Sequence, residues 1–202
     1  LLIPSYAEEP EIVRMALWSA ALQEFPHLRV TLLLDDDPYA NDPASVRRRT
    51  ETVALVEDLG RQLSAVHERT AATARSLRAA LERGEIDARD ATATAMHTHA
   101  AGAAWLRDLA AAQPAHTNVE RFFATQVLGR LADDLAATAD ALARAVEEDS
   151  EPLDPARALE LVQRVVHIFG ARVTVFERKR YASLSHDANK AANLNNYLGL
   201  LG

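Results

Sequence analysis

The stretch Val30-Thr31-Leu32-Leu33-Leu34-Asp35-Asp36-Asp37 decides the fold. Five β-branched or leucine residues without polar alternation describe a strand covered on both faces. Toward the N terminus, Leu1-Leu2-Ile3 is a second apolar strand. Between the two runs lies an amphipathic segment with Ile12, Val13, Ala16, Leu17, Ala20 and Ala21 on one face. Pro10 suits the first turn of that helix, where its missing N–H would have no partner, and Phe25-Pro26 closes it. Strand, helix and strand at this length imply a parallel pair joined by a right-handed crossover.

Toward the C terminus the character changes at about residue 43. Val56, Leu59, Leu63, Val66, Thr70, Thr73, Leu77 and Ala80 recur at alternating three- and four-residue steps, as do Ala124, Leu128, Leu131, Leu135, Thr138, Leu142 and Ala145. Such seams pack helix against helix in a coiled-coil-like hairpin or small bundle. Breaks at Gly84 and Gln113-Pro114 predict helices over 44–83, 87–112 and 117–149, the first about 60 Å long. From Pro152 the strand and helix pattern returns. Asp154-Pro155 starts a helix with Ala158, Leu161, Val162, Val165 and Ile168 on its face, Gly170 ends it, and Arg172–Phe176 is a third strand. A last helix is expected from about His186, with Ala191, Leu194, Leu198 and Leu201 buried and Asn189, Asn193 and Asn196 on another stripe. The expected fold class is α/β: a mostly parallel, Rossmann-like sheet domain in two parts, 1–42 and 153–202, interrupted by a long all-α insertion over 43–152.

Of the 202 residues, 49% are hydrophobic and 25% charged, which excludes wholesale disorder. A net charge of -7 argues against a nucleic-acid partner, since phosphate backbones are held by clustered Lys and Arg. The absence of cysteine removes disulfides, thiolate catalysis and Cys-based zinc sites. No apolar run approaches the roughly 18 residues of a spanning helix, so this segment is expected to be soluble. Leu1 opens inside an apolar stretch and Gly202 follows the run Tyr197, Leu198, Leu200, Leu201, so the chain reads as an internal segment of a longer protein.

Open parallel sheets bind ligands beyond the carboxyl ends of their strands. Three places therefore matter: Pro4-Ser5-Tyr6-Ala7-Glu8-Glu9, Asp35-Asp36-Asp37, and Ser183 to Lys190. Adjacent aspartates repel one another. Ligand donors, such as a nucleoside imide and hydroxyls, would relieve that repulsion; a solvated turn before Pro38 is the alternative. Lys190 stands in the first turn of the last helix, where the dipole already favours an anion such as a diphosphate; an ordinary capped helix with an exposed lysine is the alternative. The runs Arg47-Arg48-Arg49 and Arg178-Lys179-Arg180 read as solvated, the second being close enough to a diphosphate to assist. His97, His99 and His116 read as solvated or partner-facing, because i and i+2 positions diverge by about 200° on a helix and cannot share a metal. There is no P-loop, Gly-x-Gly-x-x-Gly or Ser-His-Asp pattern.

In this order, Ile3-Pro4-Ser5-Tyr6-Ala7-Glu8-Glu9, Leu33-Leu34-Asp35-Asp36-Asp37 and His186-Asp187-Ala188-Asn189-Lys190-Ala191-Ala192-Asn193-Leu194-Asn195 resemble the family 2 nucleotide-sugar glycosyltransferases of the GT-A fold, particularly their cellulose-synthase-like branch. The resemblance covers about 85 residues on both sides of the helical stretch. It implies that the chain binds a nucleoside-diphosphate sugar, of the UDP type, for inverting transfer to a glycan or other acceptor hydroxyl, as in polysaccharide biosynthesis. Pro4 and Tyr6 would border the nucleobase, Glu8 would support their turn, Asp35 or more specifically Asp36 would accept from the base or ribose, and Lys190 would approach the diphosphate. Ala7 stands where asparagine is common in the family. The resemblance places the metal-binding Asp-x-Asp, for Mg or Mn, and the catalytic base beyond residue 202. No catalytic or metal residue is therefore expected here, and the segment alone is expected to be inactive. It also implies a cytoplasmic active site on a membrane-integrated whole, with the first strand lying inside a larger sheet. Within this segment that strand would expose an apolar edge, with poor solubility as the consequence. A helical scaffold or interaction module, making protein or self contacts through the insertion and lacking catalysis, is the alternative reading.

Overall fold

A computed structural model describes residues 1–147, 152–185 and 190–200. The chain is α/β. Its elements run β1 (Leu2–Ser5), α1 (Pro10–Ala21), β2 (Arg29–Leu34), α2 (Pro43–Arg83), α3 (Ala88–Ala111), α4 (Asn118–Phe122), a π-helical turn (Phe123–Gly129), α5 (Arg130–Glu147), α6 (Pro155–Ile168), β3 (Arg172–Phe176), a 3-10 turn (Arg178–Arg180) and α7 (Lys190–Gly199). No helix among the described residues is long and apolar enough to cross a membrane.

Two compact units emerge, one of residues 1–65 with 169–202 and one of 66–168. The boundaries thus fall within α2 and after α6, not at 42/43 and 152/153. The second difference has a packing reason. Ala158 and Val162 of α6 share a core with Ala74, Leu77, Ala91, Ala95 and Leu142, so the helix belongs with the helical unit.

In the first unit a three-stranded parallel sheet runs β1-β2-β3, with Ile3 opposite Leu32 and Leu32 opposite Val175. Every residue from Val30 to Leu34 is buried, as an unbroken apolar strand requires. Thr31 N–H donates to the Leu1 carbonyl at 3.0 Å and Asp35 N–H to that of Ser5 at 2.9 Å. Residues 1, 3 and 5 therefore face β2, while Leu2 and Pro4 turn their backbones to the open side. Pro4, lacking an N–H, sits on the one side of an edge strand where that lack leaves no ladder bond unmade. Among the described residues, β1 is an edge strand, as expected of this segment.

The faces of α1 and α7 differ from expectation. In α1, Val13, Leu17 and Ala21 are buried together with Met15 and Trp18, whereas Ile12 is exposed. A helix packing on all three strands presents a broad face, and Trp18, a larger apolar group, takes the central place. In α7, Asn193 is the buried residue, while Ala191 and Leu198 are exposed. Its amide donates to the Leu33 carbonyl at 2.8 Å, and one turn later Tyr197 Oη lies 3.3 Å from Thr31 Oγ1, which is 3.2 Å from Thr174 Oγ1. Hydroxyls on the sheet face call for polar partners, so the asparagine and tyrosine stripe turns inward. Leu201 lies outside the described residues.

In the second unit, Leu128, Leu135 and Leu142 of the expected seam are buried, as are Val66, Thr70 and Leu77 of α2. Helix α3 packs against α5 and α6. His99 is completely buried, with Nδ1 3.0 Å from the Ala95 carbonyl, contrary to the solvated reading; His97 and His116 are exposed. The small neighbours Ala95, Gly102 and Ala103 on the same helix admit an imidazole at the core.

Candidate functional site

The site is built where the three strands end. A parallel ladder brings its carboxyl ends to one side, so Ser5, Leu34 and Phe176 deliver their following residues to the same region. Tyr6 and Ala7 come from β1, Asp35 and Asp36 from β2, and Arg178 and Lys179 from the turn after β3.

Asp35 and Asp36 are both buried. Arg178 closes on Asp35 bidentately, Nε to Oδ1 at 2.5 Å and Nη2 to Oδ2 at 2.9 Å, and its Nη1 donates to the Ser185 carbonyl. Its guanidinium has no exposure at all. A fork of five fixed donors is the group suited to such a place, since it can satisfy a carboxylate and a carbonyl at once. Lys179 Nζ donates to the Asp35 main-chain carbonyl at 2.6 Å, lies 3.8 Å from Asp35 Oδ1, and stands 5.2 Å from the centre of the Tyr6 ring. Asp36 accepts from Ala7 N–H at 3.2 Å and from Arg48 Nε and Nη2 at 3.3 and 3.2 Å. Glu177, also buried, accepts from Arg49 Nε at 2.6 Å and lies 2.8 Å from Arg180 Nε.

The repulsion within the aspartate run is thus met from inside the chain, by Arg178, Lys179 and Arg48. Asp37, third in the run, is exposed and caps its own turn by accepting from Tyr39 N–H at 2.9 Å. The solvated reading of the basic runs is corrected at four positions: Arg178 and Lys179 are interior to the site, and Arg48 and Arg49 are half-buried ion-pair partners. Arg47 and Arg180 are exposed. The signal was in the sequence, since two arginine-rich runs are the available counterparts of three consecutive carboxylates. Asn193, on the asparagine stripe of α7, is bound to the strand just below Asp35.

Of the residues expected to hold a nucleotide sugar, Tyr6, Asp35 and Asp36 come together. Pro4 is exposed on the open edge of β1, and Tyr6 is 51% exposed. Glu8 is half-buried, just past Ala7, whose φ of +52° marks a left-handed turn pinned by Asp36. Lys190 opens α7, and its side chain, like the whole of His186–Asn189, lies outside the described residues. No group of three or more His, Asp or Glu able to hold a metal occurs among the described residues.

No family model, curated protein or solved structure matches the chain.

Proposed function

We propose that the sheet-bearing unit binds a nucleoside-diphosphate sugar of the UDP type, within an inverting glycosyltransferase of the GT-A fold that passes the sugar to an acceptor hydroxyl in polysaccharide synthesis at the cytoplasmic face of a membrane. One observation carries the reading. An exposed tyrosine, a carboxylate pair and a basic pair meet beyond the carboxyl ends of three parallel strands, which is where sheets of this class bind nucleotides.

The residues divide the work. Asp35, held on both oxygens by a buried guanidinium, is an anchor that fixes the ends of β2 and β3. Asp36 is the carboxylate left to read a ligand, because its contacts are longer than 3.1 Å and its partner Arg48 is 25% exposed. It accepts from the imide or a ribose hydroxyl, while the Tyr6 ring supplies a stacking face. Lys190, by resemblance, approaches the diphosphate from the start of α7. A divalent ion would neutralise the departing diphosphate; Asp35, held on both oxygens by Arg178, does not fit it as a ligand, and the resemblance places the metal-binding carboxylates beyond residue 202. The base that deprotonates the acceptor is likewise assigned to none of these residues.

Calorimetric titration of the chain with UDP tests the reading. Binding should be weakened by about tenfold or more in Asp36→Asn, measured at a temperature where the variant remains folded. A folded wild-type chain that binds no UDP removes it. In that case the helical unit becomes the working part, as a protein-contact module. Its own core and a groove of about 740 Å³ lined by Val66, Thr70, His97 and Trp105 favour that second reading.

A further inference from the structure

We propose that Lys179, in addition to Lys190, receives the donor's diphosphate, and that it leaves the face of Tyr6 to do so; the inference rests on the nucleotide-sugar reading and adds to it a residue and a movement. Around the strand ends, five cations (Arg48, Arg49, Arg178, Lys179 and Arg180) are in ion-pair contact with three carboxylates (Asp35, Asp36 and Glu177). Among the described ion-paired groups the cations thus outnumber the carboxylates by two, in a chain of net charge -7, and such a grouping attracts anions.

The excess can be assigned. Arg178 is locked on Asp35, Arg49 and Arg180 share Glu177, and Arg48 pairs with Asp36. That leaves two surplus charges among the described ion pairs, one spread over Arg49 and Arg180 on Glu177 and the other on Lys179. The carboxylate oxygen it faces, Asp35 Oδ1, is 3.8 Å away and is already bonded by Arg178 at 2.5 Å. Among the described residues, its one short hydrogen bond goes to a neutral main-chain carbonyl, and it also stands over the Tyr6 ring.

An ammonium held by a carbonyl and an aromatic face is less compensated than one on a phosphate, where the hydrogen bonds are charge-assisted. Its flexible four-carbon stem lets it swing between the two. The side chain is 12% exposed, and Tyr6, which it covers, faces solvent. When a base stacks on the ring face that Lys179 occupies, the displaced ammonium finds the diphosphate of the same ligand. A nucleoside without phosphates displaces the lysine and offers it nothing in return.

Titration calorimetry with uridine, UDP and inorganic pyrophosphate, on wild type, Lys179→Gln and Lys179→Arg, tests this. Lys179→Gln should weaken UDP and pyrophosphate by about tenfold or more and leave uridine unchanged or bound up to about threefold tighter, whereas Lys179→Arg should keep UDP within about threefold. Should Lys179→Gln fail to fold, Lys179→Met, which keeps the packing of the stem, takes its place. UDP bound equally by wild type and Lys179→Gln, or uridine and UDP weakened alike, overturns the proposal while leaving the nucleotide reading standing. Pyrophosphate bound in a Lys179-dependent manner, with UDP bound no more tightly than pyrophosphate, supports the anion role and removes the nucleotide reading.

Discussion

Arg178 and Asp35, 143 residues apart in sequence, meet in a bidentate ion pair with the guanidinium fully buried. The pair ties the exit of β2 to the exit of β3, and the Arg178 contact to Ser185 extends the tie into the segment before α7. Burial makes the relationship asymmetric. The pair itself contributes little net stability, because two charges had to leave water, but either partner left alone is a buried charge without compensation.

Arg178→Met should therefore lower unfolding stability by about 3–5 kcal/mol, and Asp35→Leu combined with Arg178→Met should recover most of the loss. Urea denaturation of the three proteins measures both. A loss below about 1 kcal/mol in the single variant would show that water reaches the pair.

Ala7 holds a φ of +52°, a conformation that a Cβ disfavours and that asparagine tolerates better than most residues. Ala7→Asn should raise stability by about 0.5–1 kcal/mol with the Asp36 contact kept, and Ala7→Val should lower it by more than that. Equal melting temperatures for all three proteins would mean that the turn is free to relax.

Asn193 satisfies the Leu33 carbonyl from within the sheet-bearing unit, leaving its own Oδ1 without a partner among the described residues. Asn193→Leu should cost about 1–3 kcal/mol by orphaning that carbonyl, and Tyr197→Phe about 1 kcal/mol. A stabilising Asn193→Leu would restore the leucine-inward orientation of α7 and count against the one described.

The helical unit carries a pH-sensitive start. Thr117 and Glu120 form a reciprocal cap at α4, Thr117 N–H donating to Glu120 Oε2 at 2.8 Å and Glu120 N–H to Thr117 Oγ1 at 3.2 Å. The Thr117 N–H, followed by the threonine hydroxyl, holds the Glu120 carboxyl below the usual glutamate range despite some opposing desolvation. A carboxyl lowered in the folded state stabilises above its unfolded titration, and the effect is lost as pH falls through the folded one. Wild type should thus melt higher than Glu120→Ala at neutral pH, with the gap closing in acid. A gap that persists at low pH would assign the cap to Thr117 alone.

Much of the fold was readable from the chain. The strand at Val30 was legible because an apolar run without alternation has one stable placement, between covering layers. The helix breaks at Gly84 and Pro114 were legible as local backbone chemistry, and Gly84 indeed takes a positive φ of 66°. The gathering of the strand-end loops on one side followed too, since any parallel sheet collects its loops at the carboxyl ends. Polar residues are not placed by residue type alone. Arg178 looked like a surface residue because arginine usually is one, and Asn193 looked like a solvated stripe beside a leucine face. Both are buried because a specific acceptor waits for them, the Asp35 carboxylate and the Leu33 carbonyl, and a buried polar group is tolerated once it is paired.

The amino-acid sequence by itself determined the alternation of strands and helices and the segments from which the site is drawn. These follow from periodicity, proline, glycine and side-chain apolarity, which act over a few residues. Only the tertiary structure decided which cation meets which aspartate, which face of α7 turns inward, and that α6 joins the helical unit. Each of those outcomes is a competition between partners far apart along the chain, won by distance and desolvation in the folded state.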